Sequence, residues 1–518
     1  MLLPRRRTFL ATGAIGMASV PWLFAQEPAK TAEPVKKPEE PKPYNEPFNP
    51  DTIFLTWHTD PTTTCVVQWI GNEWEYIVKE LQYAELTTEY EKARDRDAKL
   101  KAAIASVKSA EEVIPVVVPD TKKEEPKKEE AKPDANKKEE AKPDADKKEE
   151  PKADAPKKEK NDPAKLLNWQ KAAVVVKPFQ ETDLKVFRAE IGKLKPGTEY
   201  VFKVGSGNEY RFRTMPAKAT DTFQFISGGD CGVNDHALAN NRLAAKQDPY
   251  FVLIMGDLGY DNGRSARTAL NFIRNYSTTM KDTKGRLIPL VCGIGNHEVN
   301  GGYAKQRKDS PFFLSLFDGL YKDTTYATLD FGDYLSLVLL DSGHIAPIGG
   351  EQTDWLGKQL AARQDRTHLF VANHVPAYPS FRDPTVKKPD PNTPITSKGE
   401  KFGTGEEQRM YWVPLFEKYA VDIVLEHHDH TFKRTHPLLN GLKNDNGVVY
   451  LGDGSWGMLR VPKTPEKRPY LAAVGGSYHF TIHRLDGDVR YHVAMDEGSK
   501  IVDITATRKR ARSSTKSS

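Results

Sequence analysis

Phe251-Val-Leu-Ile-Met-Gly-Asp-Leu-Gly-Tyr260 decides how the second half of this chain is read. Its first five residues are all apolar, which fits a short strand buried on both faces rather than a helix. The run stops at Gly256, where glycine lets the backbone turn sharply, and Asp257 and Tyr260 follow at once. The same arrangement repeats along the chain. Phe223-Gln-Phe-Ile-Ser227 runs into Gly228-Gly-Asp230-Cys-Gly232, and Leu290-Val-Cys-Gly-Ile294 into Gly295-Asn296-His297-Glu298. His368-Leu-Phe-Val-Ala372 runs into Asn373-His374, and Val421-Asp-Ile-Val-Leu425 into Glu426-His427-His428-Asp429-His430. Helical stretches such as 237–246 lie between the runs, so the region from Thr222 is expected to form a layered α/β fold. In open α/β sheets ligands bind beyond the carboxyl ends of the strands, where these clusters would converge.

The residue types define a chemistry. Carboxylate, amide oxygen and imidazole without thiolate suit hard-to-borderline metal ions. One carboxylate can bridge two ions, and a pair about 3.5–4 Å apart can clamp the attacking and leaving oxygens of an in-line displacement at phosphorus. Singly, each motif has an ordinary explanation. Gly-Asp after a strand is a common turn, Tyr260 a packing residue, His374 a satisfied core histidine. The five in order do not.

The ordered set resembles the calcineurin-like metallophosphoesterases and, within them, the purple acid phosphatases. That pattern is Asp-x-Gly, Gly-Asp-x-x-Tyr, Gly-Asn-His-Asp/Glu, Val-x-x-His and Gly-His-x-His. It is matched by Asp230-Cys-Gly232, Gly256-Asp257-Leu-Gly-Tyr260, Gly295-Asn296-His297-Glu298, Val371-Ala-Asn-His374 and His427-His428-Asp-His430. The Asp-x-Gly form of the first motif and the presence of Tyr260 select the purple branch. The resemblance covers about residues 46–500 and implies a four-layer α/β/β/α sandwich. It implies a binuclear centre in which Asp230, Tyr260 and His430 hold Fe(III), and Asn296, His374 and His428 hold a divalent Zn, Mn or Fe. Asp257 would bridge the two ions, and a metal-bound hydroxide would attack phosphorus. His297 would contact the phosphate or the leaving group rather than a metal. The last motif departs from the pattern by opening with His427 instead of glycine, which bears on the local turn. Plant members carry a further histidine about ten residues past the Val-x-x-His ligand, a region that here reads Val375-Pro-Ala-Tyr-Pro-Ser-Phe-Arg-Asp383. The leaving-group acid is therefore unassigned, with Tyr378, Arg382 and His344 as candidates.

Upstream, 518 residues leave room for two to four domains. Alternating apolar runs at 53–57, 65–69, 172–176, 185–189 and 200–204 read as antiparallel strands. Leu194-Lys-Pro-Gly-Thr-Glu-Tyr200 looks like the corner of a fibronectin type III sandwich. The expectation is one such β-sandwich over 46–218, interrupted at about 119–163 by a low-complexity Lys/Glu/Pro/Ala insertion that cannot bury apolar surface and is expected to be disordered. Residues 89–108 read as helical. The catalytic domain is placed at 222–505 and a basic tail at 506–518.

The N-terminus opens with Arg5-Arg-Arg7, Thr8-Phe9-Leu10, an apolar stretch to Phe24, and then Ala25. That order reads as a secretory leader of the twin-arginine type over 1–25, followed by a linker over 26–45. A net charge of only +5 with intermixed Lys and Glu excludes a nucleic-acid footprint. Three cysteines far apart indicate neither a disulfide scaffold nor a thiolate zinc site. No segment after the leader is long and apolar enough to cross a membrane. The function expected is an exported two-metal phosphatase acting on small phosphate monoesters. The alternatives are phosphodiester or phospholipid-headgroup cleavage by the same centre, and a non-catalytic surface protein.

Overall fold

The computed structural model describes residues 50–72, 80–111, 163–219, 223–385 and 402–510. The expected leader and linker, the low-complexity block up to Asp162 and the end of the basic tail from 511 lie outside these residues. So does the stretch 386–401.

The first sheet unit holds β1 (Phe54–Thr56), β2 (Cys65–Gly71), β3 (Glu80–Glu85), helix α1 (Thr88–Glu111), β4 (Gln170–Pro178), β5 (Lys185–Ile191), β6 (Glu199–Val204) and β7 (Glu209–Arg213). The strand order is β1-β2-β5-β4-β3-β6-β7. Strand β4 serves two halves: Gln170–Ala173 pair with β3, and Val174–Pro178 pair with β5. Inward residues of both halves, including Val67, Trp69 and Phe187 on one side and Leu81, Phe202 and Phe212 on the other, share one apolar core. Helix α1 docks at its start, where Tyr90 packs with Ala84, Leu167 and Val201. Trp57 leaves this unit to pack edge-on against Phe251 and Phe331, with ring centroids 5.9 and 5.8 Å away.

From Phe223 the chain builds β8 (Phe223–Gly228), α2 (Asp235–Ala245), β9 (Val252–Met255), α3 (Ala266–Thr279), β10 (Leu290–Gly293), α4 (Pro311–Phe317), β11 (Ala327–Phe331), β12 (Leu335–Leu340), α5 (Glu351–Ala361) and β13 (His368–Asn373). It continues through α6 (Glu406–Tyr411), α7 (Val413–Lys418), β14 (Ile423–Glu426), β15 (Phe432–Thr435), the small hairpin β16 (Leu438–Leu439) and β17 (Leu442–Lys443), β18 (Val449–Asp453), β19 (Leu471–Gly475), β20 (His479–Asp486), β21 (Val489–Asp496) and β22 (Ile501–Arg508). The strands form a six-stranded sheet, β10-β9-β8-β20-β21-β22, and a seven-stranded sheet, β11-β12-β13-β14-β18-β15-β19.

Period-two alternation stacks the layers. On β13, Phe370 and Ala372 point into the large core shared with Phe225, Phe251 and Ile482 of the other sheet. Leu369 and Val371 point the other way, onto Leu356 and Leu360 of α5 and Val413 and Phe416 of α7. Helices α2 and α3 contribute Ala244, Phe272 and Ile273 to the core on the far side of the six-stranded sheet. The result is helix, sheet, sheet, helix. Strands β8, β9 and β10 run parallel, as do β12, β13, β14 and β18. Their carboxyl ends carry the motif residues. A polar chain crosses the interior behind them: Asp453 accepts the Ser227 hydroxyl, Ser227 Oγ lies 2.6 Å from His483 Nε2, and His483 Nδ1 lies 2.7 Å from His492 Nδ1.

Candidate metal centre

The parallel registers align the strand ends. Ser227 is level with Leu253 and Gly228 with Ile254, while Gly293 is level with Met255. The chain therefore turns out of three adjacent strands at one height, and Asp230, Asp257 and Asn296 follow within three residues of those turns. The Asp230 N–H donates to the Gly256 carbonyl at 3.1 Å and the Cys231 N–H to the Asp257 carbonyl at 2.9 Å, which locks two of the loops together. Asp230, Asp257, His428 and His430 have φ of 53°, 55°, 66° and 56°. Non-glycine residues adopt this left-handed conformation at a cost, and such strain concentrates where side chains are aimed for function. Gly256 has φ 88°, and a Cβ there would meet Gly295 backbone and His374 Nδ1 at 2.7 Å.

The side chains sort into two groups. Asp230 Oδ1 lies 3.1 Å from His430 Nε2 and 3.3 Å from the Tyr260 hydroxyl. His374 Nε2 lies 3.2 Å from Asn296 Oδ1 and 3.1 Å from His428 Nδ1. Asp257 stands between them. Its Oδ2 lies 3.3 Å from His374 Nε2, and its Oδ1 accepts the His297 N–H at 2.9 Å. One ligand atom each from Asp230, Asp257, His374 and His428 lie within 4.8 Å of one another, and all four residues are buried. His297 stays outside both groups, its Nε2 3.9 Å from Asp257 Oδ2 and its ring 4.4 Å from that of Tyr260.

These residues fit metal ions. Asp257 Oδ2 is buried with no hydrogen-bond partner among the described residues. The His374 Nδ1–H is committed to the Met255 carbonyl oxygen at 2.9 Å, which leaves Nε2, 3.1 Å from His428 Nδ1, as the ring atom that would face a cation. Two buried carboxylates also demand positive charge. Burial opposes a charged His374, but Asp257 and Asp230 outweigh it and push that imidazole up to about 9. Burial likewise opposes ionisation of Asp257, and His374 and His297 overcome it, holding the carboxyl below the usual range. A cation between these groups satisfies the same demand, and the donor set of carboxylate, amide and imidazole is suited to it.

His427, which replaces the usual glycine, leaves the turn intact. Its N–H donates to the His374 carbonyl at 2.9 Å and its Nδ1 lies 2.8 Å from Asp453 Oδ1. Room for the ring comes from Gly229, where a Cβ would lie 2.7 Å from it. The leaving-group candidates separate. Tyr378 is buried against Tyr450 and Tyr470, with centroids 4.6 and 5.4 Å away. Arg382 reaches the cluster loop, donating to the His428 carbonyl and, at 3.1 Å, to Asp429 Oδ1. His344 is buried, donates from Nδ1 to the Gly302 carbonyl at 3.0 Å, and is held neutral by burial, at about 4. Sequence reading gave no role to Glu298, whose carboxylate clamps the loops, or to Tyr303, whose hydroxyl lies 3.3 Å from His428 Nε2. Glu298 was visible in its motif, whereas nothing in the spacing around Tyr303 marks it.

Residues 224–432 match the family model described as calcineurin-like phosphoesterase. The chain carries a calcineurin-like metallophosphoesterase domain. The metallophosphoesterase domain has purple acid phosphatase relatives. Purple acid phosphatase 21 of Arabidopsis thaliana is 26% identical over 341 residues, covering 62% of this chain and 70% of its own length. Acid phosphatase type 7 of Homo sapiens is 27% identical over 349 residues, covering 62% of this chain and 76% of its own length. In fold, the purple acid phosphatase PPD1 from yellow lupin (Lupinus luteus) superposes with a TM-score of 0.57 at 13% identity, covering 89% of this chain and 74% of that one. The chain is thus a phosphoesterase whose metallophosphoesterase domain is built for metal-dependent hydrolysis of phosphate esters.

Proposed function

We propose that this chain is an exported acid phosphatase that hydrolyses phosphate monoesters. The observation that carries the reading is the sorting of these buried and half-buried side chains into two groups on either side of Asp257. Asp230, Tyr260 and His430 would hold Fe(III), Asn296, His374 and His428 a divalent Zn, Mn or Fe, and Asp257 would bridge. When bound, the metal pair supplies Lewis acidity and lowers the pKa of the attacking water. The chain's own residues do the rest. Met255, through its carbonyl, and Tyr303 orient the two imidazoles of the divalent site. The Asp230 Oδ2 accepts the His428 N–H at 2.6 Å, so this carboxylate also fixes the opposite loop. His297, one quarter exposed on its side chain and free of the cluster, is placed to bond the phosphoryl group or pass a proton to the leaving oxygen.

The same reading places the catalytic domain at 222–505 and a fibronectin type III-like sandwich at 46–218. The Tyr200 hydroxyl accepts the Lys195 N–H at 2.9 Å, five positions upstream, as a tyrosine corner does. Export rests on the twin-arginine-type leader at 1–25. Among the described residues no helix is long and apolar enough to cross a membrane. Phosphate release from a monoester and a diester by the metal-loaded protein, with iron and zinc analysed alongside, is the deciding experiment. Turnover of the diester alone would overturn monoester hydrolysis, and full activity without iron would overturn the ferric site.

A further inference from the structure

A row of hydrogen bonds runs through the interior between the two sheets and ends behind the metal centre. At its far end stands Arg490 on β21, fully buried, paired with Asp422 at 3.2 Å and able only to donate. Its Nε–H donates to the Thr507 hydroxyl at 3.0 Å. Thr507 Oγ1 lies 2.9 Å from His492 Nε2, His492 Nδ1 lies 2.7 Å from His483 Nδ1, and His483 Nε2 lies 2.6 Å from Ser227 Oγ. Ser227 donates to Asp453, a fully buried carboxylate at the end of β18 that, when ionised, can only accept.

The two ends fix the direction of the bonds between them. Burial holds the His483 and His492 imidazoles below their usual range, so each ring is neutral and carries one N–H. Thr507 takes the Arg490 N–H and gives its own proton to His492 Nε2. His492 then donates from Nδ1 to His483 Nδ1, and His483 donates from Nε2 to Ser227, which leaves the Ser227 proton for Asp453.

One Asp453 oxygen is thereby committed. The other, Oδ1, lies 2.8 Å from His427 Nδ1, and neither atom has a hydrogen-bond partner elsewhere among the described residues. His427 stands where the family pattern has glycine, and its ring is boxed in by the loops around it. A Cβ on Gly229 would lie 2.7 Å from its Cγ, and a Cβ on Gly454 would meet both His427 Cα, at 2.8 Å, and the Asp230 carboxylate. The His427 N–H donates to the His374 carbonyl at 2.9 Å, and the next N–H, that of His428, donates to Asp230 Oδ2 at 2.6 Å. Ser227 itself lies on β8, three residues ahead of Asp230. His427 therefore sits at the joint between the loops that carry Asp230, His374, His428 and His430.

We propose that Asp453 is a positioning residue for the metal centre: it orients the His427 ring and, through that ring, sets the loop that presents His428 and His430 to Asp230. This rests on the metal-centre reading above. Glycine at position 427 would need no such grip.

The test titrates zinc(II) alone into the metal-free full chain. Asp453→Asn is expected to weaken binding by roughly 10–100-fold, as for other groups that orient ligands. His427→Phe, which keeps a ring and loses its nitrogens, should weaken it by a similar factor. Both changes remove one contact, so the double variant should bind within about threefold of the weaker single variant. His427→Asn, whose amide N–H can stand in for Nδ1–H, should bind within about threefold of wild type. A general loss of stability would not give this rescue, and thermal melts of the metal-free proteins check folding. If His427→Phe does not fold, His427→Gly replaces it. If Asp453→Asn does not fold, the contrast between the two His427 variants decides alone. Unchanged affinity in Asp453→Asn, losses that multiply in the double variant, or equal affinities of His427→Phe and His427→Asn overturn the proposal. A wild type that binds no zinc overturns the metal-centre reading instead.

Discussion

The Glu298 carboxylate accepts the Asp257 backbone N–H at 2.7 Å, and with the same two oxygens accepts the N–H of Leu258 at 2.7 Å and of Gly295 at 2.8 Å. One buried side chain thereby sets the backbone of the proposed bridging residue and of the loop that carries Asn296. Glu298→Ala would leave three donors without partners, so metal affinity is expected to fall by roughly 10–100-fold, as for other groups that orient ligands. Metal titration of the purified variant checks this. Wild-type affinity would show that Asp257 keeps its place without the clamp.

Neighbours in the Asn296-His297 pair should part company. Asp257→Ala is expected to lose metal and activity together, and Asn296→Ala mainly the divalent ion. His297→Ala should keep its metal while turnover drops by roughly 10²–10⁴-fold, the usual worth of a positioned proton donor. Elemental analysis beside kinetics on the three variants decides it. Equal metal loss in His297→Ala and Asp257→Ala would remove the distinction between their roles.

Tyr260 places a phenol 3.3 Å from both Asp230 Oδ1 and His430 Nε2. Bound to ferric iron it would give a visible charge-transfer band, so the protein should be purple or pink and Tyr260→Phe colourless. Absorption spectra of iron-replete samples check this. A colourless wild type with full iron would refute the assignment.

Deletion of residues 119–162 is expected to leave kinetics and folding near wild type. The block is a polar repeat, and loop-closure entropy changes slowly with length. The cut stops before Pro163, which opens a short helical turn leading to buried Leu167 against Tyr90. Loss of soluble, active protein on deletion would show that the block is structural.

Burial holds the His483 imidazole at about 4, far below the roughly 6.5 of an unfolded chain. Between these values the unfolded protein binds the extra proton, so stability falls as pH is lowered from about 6.5 toward 4. The Tm should drop over that window, and His483→Gln should make the drop shallower. Thermal melts at several pH values test it, and an unchanged slope in the variant would assign the loss to other groups.

Sequence alone determined the class of chemistry. The five strand-ending motifs mark the proposed ligands because metal-ligand chemistry restricts residue type and a strand end restricts spacing, and both are local properties. It also predicted the helix over 89–108, which the structure shows as Thr88–Glu111. Tertiary structure decided what spacing cannot encode. His427 is accommodated by Gly229, nearly two hundred positions away, and a residue's room depends on what folds against it. Tyr303 reaches His428 only because loops from different strands share one end of the two sheets. Tyr378, plausible as an acid by position, is buried between Tyr450 and Tyr470, since the face a side chain takes is set by packing rather than by distance from a motif.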